Sequence, residues 1–124
     1  MLRWGLIALL LLTAPARADA YADLDDYLRK TSGFEPASEP ARCYSDTVQR
    51  SMGNMTSMIK SVFTGSYNIP KSTQASMERM MQEDWRTRGA KTLADLVGLS
   101  CPGTVVDAAT PIEDIHPLAK LPTR

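Results

Sequence analysis

The chain has 124 residues, with 14 basic and 14 acidic side chains, two cysteines and one histidine. This length is enough for one domain with a modest core. The balanced charge argues against a nucleic-acid-binding protein, which needs a dense basic surface to displace counterions. The single histidine, His116, lies in a proline-rich tail, so the sequence gives no support to a Ser–His–Asp or Cys–His catalytic centre.

The first 18 residues have the layout of a secretory signal peptide. Arg3 is followed by the apolar run Trp4–Leu12 and then by a segment that ends in the small-x-small pair Ala16 and Ala18, which is the order such signals follow. We expect cleavage after Ala18, with cleavage after Ala20 as the alternative. The apolar run is shorter than the roughly 20 residues that a spanning helix needs. The mature chain is therefore expected to be periplasmic or secreted, without stable membrane insertion.

The two cysteines, Cys43 and Cys101, are predicted to form a disulfide bond. An even pair in an exported chain is most often bonded. A reactive thiol and a metal-binding pair are the alternatives, but the two residues do not have C-x-x-C spacing. In the chain-entropy model, closing a loop of this length stabilises the fold by about 4 kcal/mol.

Two helices are predicted in the first half of the mature chain. The first runs over Asp19–Lys30 and ends at Gly33. The segment 34–40 contains two prolines and is expected to be a linker. The second helix begins at residue 40 or 41 and ends at Phe63, although Gly53 weakens it by about 1 kcal/mol relative to alanine. Its apolar side chains share one arc: Tyr44, Val48, Met52, Met55, Met58, Ile59, Val62 and Phe63.

A third helix is predicted to begin near Pro70, with Asn68 as its cap, and to end at Gly89. Asp84 and Arg88 are four residues apart beside its apolar stripe, which makes them a candidate ion pair. The stripe consists of Met77, Met80, Met81 and Trp85.

A fourth, short helix is predicted over Leu93–Val97, with Thr92 as cap and Gly98 as the residue that stops it. Cys101 follows at once, so the disulfide would join the start of the second helix to the exit of the fourth. The fold class is therefore all-α: a small bundle of three to four helices closed by one disulfide, over residues 19–103.

The remaining segment, residues 104–124, is predicted to be an extended tail with one short helix, capped by a box at Thr110–Glu113 and stopped by Pro117. We expect the tail to dock on the helical domain or on a partner, and a simple spacer is the alternative. The basis is a set of apolar residues at every third position, namely Ile112, Ile115, Leu118 and Leu121.

The methionines between residues 52 and 81 are the main candidate for a functional feature, and they allow three interpretations. They could pack the core, because thioether side chains fill irregular gaps. They could line an adaptable groove for a protein partner, or they could bind Cu(I). The candidate binding residues are Met52, Met55, Met58, Met77, Met80, Met81 and Trp85.

Nothing in the sequence identifies a reaction, a cofactor or a metal site. A hydrolase that uses two carboxylates is conceivable, but among the acidic residues only Asp84, on an apolar stripe, stands out. We therefore expect a small exported, non-enzymatic helical module that binds another protein in the cell envelope. A periplasmic Cu(I)-binding protein that uses methionine thioethers is the alternative.

Overall fold

The computed structural model describes residues 21–122, and within them the chain is entirely helical apart from loops and turns, so the all-α prediction is confirmed. The expected signal peptide lies outside the described residues. None of the helices in the described part is long and apolar enough to cross a bilayer. The helices are α1 (Leu24–Lys30), α2 (Glu39–Met52), α3 (Thr56–Phe63), α4 (Lys71–Thr87) and α5 (Leu93–Ser100), with 3-10 turns at Gly53–Met55 and Ile112–Asp114.

Helix α1 begins at Leu24, later than the sequence pattern predicts, because Asp23 acts as its cap. The Asp23 backbone is extended, and its carboxylate accepts a hydrogen bond from the backbone N–H of Asp26 at 2.9 Å. Residues 19 and 20, the expected start of this helix, lie outside the described residues. Ser38 caps α2 in the same way, with its hydroxyl oxygen 3.3 Å from the backbone nitrogen of Ala41.

The long second helix of the sequence prediction is two helices in the structure. Helix α2 ends at Met52, a 3-10 turn covers Gly53–Met55, and α3 follows from Thr56. Gly53 has a positive φ of 51°, a conformation that glycine adopts readily and that is incompatible with a continuous right-handed helix. The prediction of an unbroken helix to Phe63 is therefore wrong at this glycine.

One predicted cap and one predicted stop are also wrong. Pro70, and not Asn68, occupies the position before α4, and no side chain caps that helix. Helix α5 continues through Gly98 to Ser100, because this glycine does not take a positive φ. The cap at Thr92 is confirmed, and Asp95 completes a capping box with it.

Cys43 and Cys101 form the predicted disulfide, with Cα atoms 5.9 Å apart, an ordinary separation for such a bond. The bond joins α2 to the end of α5, and these two helices form the most extensive helix–helix contact in the described part of the chain. Trp85 of α4 is fully buried beside them in the single apolar core. Its indole N–H donates to the Ser51 hydroxyl at 2.6 Å.

The tail docks on the helices, as its apolar spacing predicts. Its four regularly spaced apolar residues are all at least 94% buried and belong to the same core as the helices. Backbone hydrogen bonds hold its first half against the start of α5, from the N–H of Leu93 to the carbonyl of Thr110 and from that of Ala94 to the carbonyl of Ala108. The predicted capping box is wrong: the helix here is a single 3-10 turn without a side-chain cap, since Pro117 leaves no room for more.

Candidate functional site

The methionines divide between the core and the surface. Met52, Met77 and Met81 are buried together with Trp85, so core packing describes these four residues. Met55 is partly buried against the core, whereas Met58 is 38% exposed and Met80 is 62% exposed. The six thioethers therefore do not form one shared surface. On α4 only Met80 of the three methionines is exposed, which leaves Cu(I) binding without a supporting observation.

The outer side of α4 carries the most exposed of these methionines. Met80 stands in a shallow, open depression that we call the Met80 face, lined by Ser76, Arg79, Met80, Glu83, Asp84 and Thr87. The face carries one basic side chain, Arg79, and two acidic ones, Glu83 and Asp84. An apolar side chain surrounded by mixed charges resembles the centre and rim of a small protein interface.

Asp84 forms the ion pair that its spacing predicts, with its carboxylate 3.1 Å from Nε of Arg88. The same carboxylate oxygen lies 3.3 Å from the hydroxyl of Ser51, which also receives the indole N–H of Trp85. A carboxylate bound in this way positions the core-facing tryptophan through the serine. These contacts give Asp84 a structural role.

A second recess lies where the tail crosses α1 and α2. We call it the tyrosine cleft, and its volume is about 330 Å³. Its walls are both apolar and polar, and two buried tyrosines, one from α1 and one from α2, contribute to it. The lining residues are Tyr27, Thr31, Ser32, Gly33, Tyr44, Leu93, Thr110, Asp114, Ile115, His116, Ala119 and Lys120.

Tyr27 is the fully buried anchor that holds the tail in place. Its hydroxyl donates a hydrogen bond to the carbonyl of Pro117 and accepts one from the backbone N–H of Lys120 at 3.2 Å. Burial raises the pKa of the Tyr27 phenol above its usual value, although the N–H of Lys120 opposes the shift. The hydroxyl is therefore neutral and fully used in structural hydrogen bonds.

Tyr44 is 3% exposed, yet its hydroxyl has no hydrogen-bond partner among residues 21–122. Every fully buried side-chain nitrogen or oxygen in the described residues does have a partner. The Tyr44 hydroxyl must therefore keep a small accessible area, and the recess that this residue lines is the tyrosine cleft. Burial raises the pKa of Tyr44, and the nearby Glu78 carboxylate adds to the increase.

His116 and Glu78 fasten the tail to α4 at the edge of the cleft. Nδ1 of His116 lies 3.2 Å from Oε1 of Glu78, and the backbone N–H of Leu118 donates to Oε2 at 2.8 Å. One turn further along α4, the amide group of Gln82 donates to the carbonyl of Ile115 at 3.0 Å. The only histidine of the chain is thus part of the tail attachment.

The described residues contain no group of three or more His, Cys, Asp or Glu side chains that could hold a metal ion. The tyrosine cleft is the feature that the sequence pattern misses. Tyr27 and Tyr44 sit on the apolar faces of their helices, where the pattern indicates only core packing. A hydroxyl without a partner depends on contacts between distant segments, so no local signal could have predicted it.

The comparisons with known proteins give no relative: no family model, no curated protein and no solved structure matches this chain significantly.

Proposed function

We propose that this chain is an exported helical module that binds another protein in the cell envelope through the Met80 face. The observation that carries the proposal is the 62% exposure of Met80 on α4, the longest helix among the described residues. A flexible and polarisable thioether adapts to a partner's apolar surface with little strain. The neighbouring Arg79 and Glu83 would form a polar rim that orients the partner.

Two features support the proposed location. The segment ending at Ala18 has the layout of a cleavable export signal, and the Cys43–Cys101 bond is of the kind that persists in oxidising compartments. The proposed activity is binding without catalysis.

The test is site-specific photo-crosslinking in envelope preparations. A photoreactive amino acid at position 80 should give one discrete adduct of defined mass. In a competition experiment, Met80→Arg should reduce recovery of that partner by about tenfold or more, because it removes an anchor and adds a charge at the centre of the interface. Since Met80 is largely exposed, its replacement should change the free energy of unfolding by no more than about 0.5 kcal/mol.

Val105 supplies the matched control, since it is 91% exposed and lies far along the chain in the tail. A crosslinker at position 105 should not give the same adduct, and Val105→Arg should leave partner recovery unchanged. If positions 80 and 105 crosslink to the same mixture, or if Met80→Arg leaves the adduct partner bound, the proposed interface is wrong.

A further inference from the structure

The tyrosine cleft is lined by a tyrosine whose hydroxyl makes no hydrogen bond within the described residues. The two tyrosines of the cleft differ in this respect, because the Tyr27 hydroxyl both donates and accepts within the protein. The Tyr44 hydroxyl makes neither bond within residues 21–122, although the side chain is 97% buried. Because no fully buried side-chain nitrogen or oxygen of the described residues lacks a partner, this hydroxyl keeps some accessible area and is free to donate to an acceptor that enters the cleft.

The charges around the cleft define what this acceptor is. The Glu78 carboxylate lies 3.2 Å from Nδ1 of His116, which lines the cleft, and it adds to the raised pKa of Tyr44, so a second negative charge in the cleft would be repelled. Towards the tail, the cleft is lined by one acidic side chain, Asp114, one basic side chain, Lys120, and the imidazole of His116. These opposite charges favour neither an anion nor a cation, and a neutral acceptor fits best.

The size and the walls of the cleft indicate what the rest of the ligand is like. A volume of about 330 Å³ is at the lower end of the range of roughly 300–1,000 Å³ for small-molecule sites. Leu93, Ile115 and Ala119 provide apolar wall between the polar groups. A small ligand with an apolar surface would fill this space.

We propose that the tyrosine cleft binds a small neutral molecule with an apolar body and a carbonyl oxygen, which accepts a hydrogen bond from Tyr44. This site is separate from the Met80 face, with which it shares no lining residue. A negative result for one of the two proposals would therefore leave the other unaffected.

The experiment uses phenylacetamide as the probe and phenylacetate as its anionic match of nearly equal shape. Both are titrated into the disulfide-bonded protein, and binding is followed by the chemical shifts of backbone amides. Phenylacetamide should give saturable shifts around residues 27–33 and 110–120, with a Kd on the order of millimolar, as befits a ligand of ten non-hydrogen atoms. Phenylacetate should bind at least about tenfold more weakly, because of the Glu78 charge.

Two variants locate the site. Tyr44→Phe should weaken phenylacetamide binding about 3- to 10-fold, the effect of one lost hydrogen bond, and should leave the fold intact because the hydroxyl has no partner within the described residues. Ala119→Phe should fill the cleft and abolish binding, whereas Ala109→Phe adds the same ring at an exposed position outside it and should bind as the parent does.

The proposal is overturned by any of three results. These are the absence of saturable shifts with phenylacetamide, equal binding by the parent and the Tyr44→Phe protein, and equal binding of the amide and the carboxylate. In the first case a water molecule is the acceptor that satisfies Tyr44. Thermal unfolding of each variant, measured without ligand, separates a loss of binding from a loss of folding.

Discussion

Tyr27 and Tyr44 are chemically identical residues that the fold uses in different ways. Both phenols are buried, and burial raises the pKa of each above its ordinary value. The Tyr27 hydroxyl is bound on both sides by the tail, through Pro117 and Lys120, whereas that of Tyr44 makes no hydrogen bond within residues 21–122 and its side chain lines the cleft. The first residue therefore stabilises the structure, and the second is available for a ligand.

The raised pKa values predict a loss of stability in alkali. A phenol whose folded pKa exceeds its unfolded value of about 10 contributes stability that is complete below pH 10 and is lost as pH rises toward the folded pKa. Above pH 10 the free energy of unfolding should fall by up to about 1.4 kcal/mol per pH unit for each of Tyr27 and Tyr44. Urea unfolding between pH 8 and roughly pH 12 measures this slope.

Single replacements assign the slope to the two residues. Tyr27→Phe and Tyr44→Phe should each reduce the slope, and the double variant should remove most of it. Tyr67, which is 40% exposed, gives the control variant Tyr67→Phe, with the parent slope expected. A double variant that unfolds in alkali as steeply as the parent would refute this prediction.

At the scale of the elements, the tail contributes to the stability of the whole domain. Leu118 is fully buried, and the neighbouring backbone is held by Glu78 and Tyr27. Leu118→Ala should lower the free energy of unfolding by about 2–5 kcal/mol, because it removes buried surface and leaves a cavity. Chemical denaturation measures the change.

The control for this prediction is Val105→Ala, in the same tail at a position 91% exposed, where a change within about 0.5 kcal/mol is expected. Truncation after Gly103 is the larger version of the test and should destabilise more than Leu118→Ala. A truncated protein that unfolds at the parent's denaturant concentration would mean that the tail is only a spacer.

Most helices could be predicted from the sequence because their apolar periodicity and polar caps are local signals. Thr92 and Pro70 mark where α5 and α4 begin, to within a residue. Gly53 and Gly98 show the limit: both are glycines within helical patterns, yet one takes a positive φ and breaks the helix while the other does not. The packing around each glycine decides between these outcomes, and this packing cannot be inferred from a single sequence.

The candidate sites were less predictable than the helices, for the same reason. Apolar periodicity placed Met77, Met80 and Met81 on one stripe about 140° wide. A stripe of that width also contains residues at its edge, and Met80 is an edge residue that is exposed. The cleft depends on how the tail crosses α1 and α2. That crossing joins residues some 90 positions apart, such as Tyr27 and Pro117.

For the whole molecule, the disulfide should account for a large share of the stability. Thiol labelling of the denatured, unreduced protein should find no free thiol, and the Cys101→Ser variant should show one. Replacing both cysteines by serine should lower the free energy of unfolding by about 4 kcal/mol, because the unfolded chain then gains the conformational entropy that the closed loop removes. Two labelled thiols per parent chain would contradict the bond.

The position of this bond also determines how the protein would respond to a mechanical force. The covalent loop contains residues 43–101, while α1 and the tail lie outside it and are joined to each other through the Tyr27 hydroxyl. A pull on Tyr21 and Pro122 would first separate these two outer segments, extending the molecule by roughly 150 Å at most. The loop would then carry the load without lengthening, so a stretched molecule would keep most of its helical residues shielded until the disulfide was reduced.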